Sequence, residues 1–461
     1  LKCSAKNKMQ DSKFLEKLLG LGRKIIPKKI FKAAQPFYHF ILAILGVLFN
    51  RFPSKKLFVI AVTGTKGKST TTELINAILE AAGFKTALLN TIRFKISENS
   101  RPNKFKMTLP GRFFLQSFLR KAVDSGCTHA VIEMSSEAVP QFRHKFIYLD
   151  ALIFTNLAPE HIESHGSYEN YLRAKLEIAK ILENTPKKNP VITVNVDDEE
   201  AAKFLKLNIK NKIQYSLTDA FNAHTDSDGS SFQVDKMIIR SPLPGEFNVM
   251  NMLGVITLSR FIKISDEVIK RGLESVEFIR GRMEKIEVGS PPAGGFDVVV
   301  DYAHTPESLR AAYETYGSTS SPRATKLICV LGNTGGGRDK WKRKEMAKIA
   351  DEYCSRIILT NEDPYDEDPR SIVDEMKKEI KETPCDIIMD RRNAIFSALN
   401  KAATLRQAQG ASNQHKIAVL ITGKGTDPYI MGPNGSRLEW DDATVAREEL
   451  KKLNKSDAGT A

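Results

Sequence analysis

The chain has 461 residues, 41% of them apolar and 27% charged, which suits about three folded domains and excludes a wholly disordered, collagenous or polytopic membrane protein. Its net charge is +14, but residues 1–56 hold 13 Lys/Arg against only Asp11 and Glu16, so +11 of that excess sits in an N-terminal arm and the rest carries only +3. A nearly neutral body behind a basic arm is not expected to bind nucleic acid through bulk charge.

In chain order, residues 12–50 read as an amphipathic helix followed by an apolar one, interrupted at Pro27 and Pro36. The apolar run 37–49 is too short for a membrane span, which needs about 20 residues. No small-residue cleavage site follows it, so a signal peptide is not expected. The chain opens on Leu1 rather than Met, and upstream residues are expected. From residue 57 short β-rich runs (57–63, 130–134, 151–155, 191–196) alternate with helical stretches such as 69–82. That alternation predicts a mostly parallel sheet covered on both faces. A helix over 247–262 follows a turn at 242–245, and a Pro/Gly loop near 291–295 opens a second αβ series. Its strands are 296–300, 327–331, 357–360 and 417–422, with 406–415 as a polar loop before the last. The reading is a small N-terminal segment and two α/β domains. Five scattered cysteines without a CxxC pair fit reduced thiols.

The sharpest motif is VIAVTGTKGKSTT at 59–71, a strand running through a Gly-rich turn into a helix. Gly64 and Gly67 let backbone amides close around phosphate, with Thr65, Lys66 and Thr70 completing the turn. Lys68 supplies a point charge, Ser69 offers a hydroxyl to Mg²⁺, and the helix N-terminus favours the anion. Val62 stands where the usual P-loop has glycine, so the loop is a shortened variant. The expected ligand is ATP with Mg²⁺.

Glu133 ends a strand, where ligands of parallel sheets bind; its carboxylate either reaches a phosphate-held metal or faces solvent. The segment FTNLAPEHIESHG at 154–166 offers His161 and His165 for metal or proton work. In the next helix the apolar stripe Tyr171, Leu172, Leu176, Ala179, Leu182 includes Lys175. An inward lysine is costly unless paired or neutralised; a snorkelling side chain is the alternative. Further on, DYAHTP (301–306), GNTGGGRD (332–339) and TGKGTD (422–427) each follow a strand. Three polar loops on one rim suit a substrate site facing the nucleotide of the other domain.

Taken in order, GTKGKST, TNLAPEHIESHGS with the following AK, GEFNVMN, GRME, DYAHTP, GGGRD, EDPYDEDP and GKG resemble the Mur ligase family, in its MurE-type branch of UDP-N-acetylmuramoyl-tripeptide synthetases. The resemblance implies an α/β fold: a central P-loop-type, mostly parallel sheet domain (57–281) and a C-terminal Rossmann-like domain (282–461), after a short basic helical segment (1–56). It implies a cytoplasmic, monomeric, ATP-dependent ligase that adds an amino acid to UDP-N-acetylmuramoyl-L-alanyl-D-glutamate through an acyl phosphate.

Residue by residue, the resemblance makes Lys68, Glu133, His161 and Lys175 the catalytic set. Ser69, Glu133, His161 and a carbamylated Lys175 become Mg²⁺ ligands. Residues 64–70 with Asn248, Asn251, Arg282, Asp301 and His304 would hold ATP. Thr108, Ser135, Gln141 and Arg143 would hold the UDP-muramoyl-peptide, while Arg338, Asp363, Tyr365, Gly423, Lys424, Thr426 and Asp427 belong to the substrate loops.

The sequence departs from the family in three places. Where diaminopimelate-selecting members carry DNPR, this chain reads EDPY, without the arginine that grips the second carboxylate. GKGHE reads GKGTD, and the N-terminal segment is shorter than the family's uridine-binding domain. Two other readings stay open: a related ligase for another γ-glutamyl or polymeric carboxylate, and a membrane-surface ATP-binding protein without ligase activity. The arm is expected either to help hold the anionic sugar nucleotide or to rest on the inner face of an anionic membrane.

Overall fold

A computed structural model describes residues 28–160, 162–288, 295–317, 325–409 and 415–458. The expectations for residues 1–27 and for His161 lie outside the described residues.

The first sheet contains β1 (Phe58–Thr63), β2 (Thr86–Leu89), β3 (Arg93–Ile96), β4 (Asn99–Pro102), β5 (His129–Glu133), β6 (Ala151–Phe154), β7 (Val191–Asn195) and β8 (Asn211–Tyr215). Their order is β4-β3-β2-β5-β1-β6-β7-β8. All pairs from β2 to β8 are parallel, while β3 and β4 add an antiparallel edge. The central strands are continuous apolar runs because helices cover both faces. Leu115, Phe118 and Leu119 of helix Arg112–Asp124 pack on one side together with Tyr171, Leu172 and Ile178 of helix Tyr168–Ala179. The other side takes Leu74 and Ile75 of helix Lys68–Ala81, Val249 and Met252 of helix Glu246–Phe261, and Ile269 of helix Asp266–Glu274.

After β8 in the chain, β9 (Phe221–Asp226), β10 (Gly229–Val234) and β11 (Met237–Ser241) form an antiparallel sheet that the sequence reading did not anticipate. Its cue was present: Met237 and Ile239 are buried while Ile238 and Arg240 are exposed, a period of two. The last sheet holds β12 (Glu284–Lys285), β13 (Asp297–Asp301), β14 (Lys326–Leu331), β15 (Arg356–Leu359), β16 (Cys385–Ile387) and β17 (Ile417–Thr422) in the order β12-β13-β17-β14-β15-β16. It is parallel from β13 to β16. A hairpin of β18 (Tyr429–Met431) and β19 (Arg437–Glu439) follows.

Three expectations are corrected. Helix Lys28–Phe49 runs through Pro36 without interruption. Pro36 is exposed there, so water can satisfy the carbonyl one turn earlier that loses its amide partner. Residues 406–409, expected as loop, complete helix Arg391–Gln409: its Ala394, Ile395, Ala398 and Leu399 are anchored in the core, and Arg, Gln and Ala extend a helix readily. Finally, Cys329 and Cys354 are joined as a disulfide rather than remaining thiols. β14 and the end of helix Trp341–Tyr353 bring them together across 25 residues of sequence, a juxtaposition that spacing along the chain does not reveal.

Candidate active site

The carboxyl ends of β1, β5 and β6 face the loops that follow β13, β14 and β17 across a cleft of about 370 Å³. The P-loop forms one wall. Gly64 and Gly67 both have positive φ, 154° and 79°. A Cβ at Gly64 would strike the Thr155 hydroxyl, and one at Gly67 the Asn251 amide oxygen, so only glycine fits this approach. The amides of Thr65 and Lys66, expected to face phosphate, are taken by Asn156 at 2.8 and 2.9 Å. The first helical turn, Lys68 to Thr70, lines the cleft and presents the amides that a helix leaves unpaired.

Glu133 is 2% exposed, which rules out the solvent-facing reading. It accepts from Ser69 Oγ at 2.9 Å, from the Thr91 amide at 2.8 Å and from Thr91 Oγ1 at 3.0 Å. Thr91 Oγ1 in turn meets Thr108 Oγ1 at 2.9 Å. Lys68 Nζ donates to the Thr65 carbonyl at 2.6 Å. Lys175 is not a snorkelling side chain either: it is 1% exposed, donates to the Gly64 carbonyl at 2.6 Å and packs over the Tyr171 ring. Ser167 caps its helix by accepting from the Asn170 amide, and Tyr171, Leu172, Ile178 and Ala179 turn the face that carries Lys175 inward. Burial, with the Lys68 charge second, holds the Lys175 ammonium well below the usual lysine range. His165 bonds Ser136 at 3.1 Å.

The opposite wall is built by the C-terminal domain. Arg282 lies over the Tyr302 ring at 4.5 Å and reaches Ser69 Oγ at 3.5 Å. Both Asp301 carboxylate oxygens accept backbone amides, of Met283 and Ala303, at 2.7 Å, so Asp301 shapes this turn as well as lining the cleft. Asn248 and Asn251 line the cleft from helix Glu246–Phe261. His304 meets Glu160 across the domain boundary at 3.0 Å, and Lys66 pairs with Glu307 at 3.1 Å. Thr108, Ser135, Arg143, Arg338, Thr426 and Asp427 also line the cleft. Gln141 does not; its side chain accepts from Arg143 instead. Asp363, Tyr365, Gly423 and Lys424 stand behind the wall: Arg338 lies over the Tyr365 ring at 5.6 Å, and Asp363 bonds Lys424 at 3.0 Å. Sequence reasoning missed Thr91, Glu160 and Lys106. Glu160 sat inside a motif already singled out, Thr91 followed a strand end, and Lys106 carried no local signal.

Residues 62–259 match the Mur ligase middle domain and residues 281–425 the Mur ligase glutamate ligase domain. The UDP-N-acetylmuramoyl-L-alanyl-D-glutamate–2,6-diaminopimelate ligase of Syntrophomonas wolfei is 34% identical over 425 residues, 89% of this chain and 81% of the relative. The ligase of the same name from Clostridium tetani is 34% identical over 422 residues, with the same shares. The chain belongs to the Mur ligase family. A solved diaminopimelate ligase structure of the family superposes with a TM-score of 0.56 at 28% identity, covering 86% of this chain and 79% of that one. A Mycobacterium tuberculosis folylpolyglutamate synthase complexed with ADP gives 0.65 at 14% identity over 84% and 92%, a likeness of fold. As a Mur ligase the chain is an ATP-dependent, ADP-forming enzyme, and the two walls of its cleft come from the family's two matched domains.

Proposed function

We propose that this chain, with ligase domains at 57–281 and 282–461 behind the 1–56 segment, joins an amino acid to the glutamyl carboxylate of UDP-N-acetylmuramoyl-L-alanyl-D-glutamate while ATP is cleaved to ADP and phosphate. The convergence of the Lys68 loop, the Ser69–Glu133 pair and buried Lys175 on the wall opposite Arg282 and His304 carries the reading. Lys68 and the amides of the first helical turn offset the charge that builds as the substrate carboxylate attacks the γ-phosphorus and ADP departs. The amine of the incoming amino acid then attacks the acyl carbon and phosphate leaves. Arg282 and His304, brought in by the C-terminal domain, complete the nucleotide pocket, and closure excludes water from the acyl phosphate. Ser69, Glu133 and a carbamylated Lys175 would offer the hard oxygen donors that fit Mg²⁺, with His161 as a nitrogen donor; the ion would supply further charge neutralisation when bound.

Thr108, Ser135 and Arg143 hold the muramoyl-peptide side; Arg338, Thr426 and Asp427 hold the acceptor side. The first acceptor to test is 2,6-diaminopimelate, which the relatives' names specify. ADP release is expected only when the UDP-muramoyl-dipeptide and an amino acid are both present. ADP formation indifferent to both would overturn the proposal.

The basic arm rests on the inner face of an anionic membrane in this reading. Helix Lys28–Phe49 presents Phe37, Ile41, Leu45, Leu48 and Phe49, between 38% and 75% exposed, on one helical stripe, within a segment that carries +11. An apolar stripe with flanking cations is the chemistry of an interfacial helix. Among the described residues no helix is long and apolar enough to cross a membrane.

A further inference from the structure

Lys106 lies on the loop between β4 and helix Arg112–Asp124 of the central domain. It crosses the cleft to donate to Asp363 Oδ2 at 2.6 Å and the Tyr429 carbonyl at 3.3 Å, and it pairs with Asp427 at 3.1 Å. Lys424, from the C-terminal domain itself, uses the same three partners: Asp363 Oδ1 at 3.0 Å, Asp427 at 3.1 Å and the Tyr429 carbonyl at 2.6 Å. Two ammonium groups and two carboxylates thus form a neutral quartet in which the Asp363, Asp427 and Lys424 side chains are each under 9% exposed and that of Lys106 is 17% exposed. Removing Lys106 would leave the quartet with an excess negative charge out of water, a costly state.

Two more observations single out Lys106. Its φ is +50°, a left-handed backbone that a non-glycine residue keeps only where the surroundings hold it. Its loop is also tied to the nucleotide site. Asn103 Nδ2 bridges the Asn90 and Met107 carbonyls at 3.0 Å, and Thr108 leads through Thr91 and Glu133 to Ser69 of the P-loop. Asp427 Oδ1 is buried without a hydrogen-bond partner, so the quartet keeps an acceptor free.

We propose that Lys106 is the closure latch of the cleft: a positioning residue that pins the acceptor loops around Asp363 and Asp427 to the central-domain loop carrying Thr108. It acts through domain position, not on the reacting atoms, and as a statement about catalysis it rests on the ligase reading above. Released, the C-terminal domain swings away, the acceptor meets a badly placed acyl phosphate, and water reaches it.

The test compares the full-length wild type with Lys106→Gln, which keeps length and loses charge, and Lys106→Arg, which keeps charge. Small-angle scattering with Mg·ADP reads closure without any peptide substrate: Lys106→Gln is expected to be more extended than wild type, and Lys106→Arg to match it. In turnover, Lys106→Gln is expected to raise KM for the amino acid by about tenfold or more, to raise acceptor-independent ADP release, and to change KM for ATP little. Equal scattering curves for wild type and Lys106→Gln would overturn the latch, whatever the acceptor KM. Absence of wild-type turnover would count against the ligase reading alone, because scattering still decides on the latch. If Lys106→Gln does not fold, Lys106→Met provides the same comparison.

Discussion

Lys175 shows how one residue's surroundings set its chemistry. The helix that carries it is amphipathic, and the lysine sits on the apolar stripe with 1% exposure, beneath the Gly64 carbonyl. Burial and the neighbouring Lys68 hold its pKa well below the usual lysine range, which favours the free amine, the form in which Nζ adds to CO₂ and loses a proton to leave an anionic carbamate. In the proposed reading, an anion there would join Glu133 in lining the cleft and offer a second carboxylate-like group to Mg²⁺. Lys175→Ala is expected to lower amino-acid-dependent ADP release by about a hundredfold, and formate or acetate added to the variant to restore part of it. Unchanged activity in the variant would remove the carbamate role. Glu133 is placed by its surroundings too: the strand delivers it to the sheet's carboxyl edge, and Thr91 and Ser69 hold it there.

At the scale of elements, the rim of the C-terminal domain depends on one buried ion pair. Arg391, at the start of helix Arg391–Gln409, donates to both Asp442 oxygens at 2.8 and 2.7 Å and to the Thr422 carbonyl at 2.8 Å. Asp442 opens the last helix and also accepts from Trp440 Nε1 at 2.7 Å. The pair therefore clamps two helices to the end of β17, one residue before the Gly423 loop. With side chains 1% and 0% exposed, losing one partner strands the other charge. Asp442→Ala is expected to cost about 3–5 kcal/mol in a denaturant titration, while replacing both partners by apolar residues of similar volume costs much less. A loss below about 1 kcal/mol would mean that water reaches the guanidinium.

At the scale of the whole molecule, two features face opposite ways. Inward, Lys66–Glu307, His304–Glu160 and Lys106–Asp363 bridge the two domains. The first is 29% and 49% exposed and so contributes little, His304 of the second is 31% exposed, and Lys106–Asp363, at 17% and 5%, is the most buried of the three. Outward, helix Lys28–Phe49 packs on helix Arg112–Asp124 where Gly46 lies against Arg112 and Phe113, with Ala43 and Val47 buried, yet keeps its apolar stripe exposed. If that stripe and the basic arm rest on a membrane, the full-length protein should float with vesicles containing an anionic phospholipid and less with neutral ones. Phe37→Asp combined with Phe49→Asp should abolish flotation while leaving the thermal transition in place. Equal recovery for wild type and variant would refute the contact.

Much of this was legible before any coordinates. Strand–helix alternation gave eight of the parallel strands to within a residue or two, since a strand buried on both faces must be apolar throughout, but it missed β2, β8 and β16, which are short or partly polar. Lys68, Ser69, Glu133 and Lys175 stood out because a phosphate loop, a strand-end carboxylate and an inward lysine each leave a local trace. The hairpin strands β9–β11, the continuous helix through Pro36 and the Cys329–Cys354 bond did not stand out, being settled by partners distant in sequence. Lys106 belongs with these: alone it is one surface lysine among many. The residues' chemistry was fixed by the chain itself, but only tertiary structure could set a lysine of one domain against two aspartates of another, because charge pairing depends on distance in space.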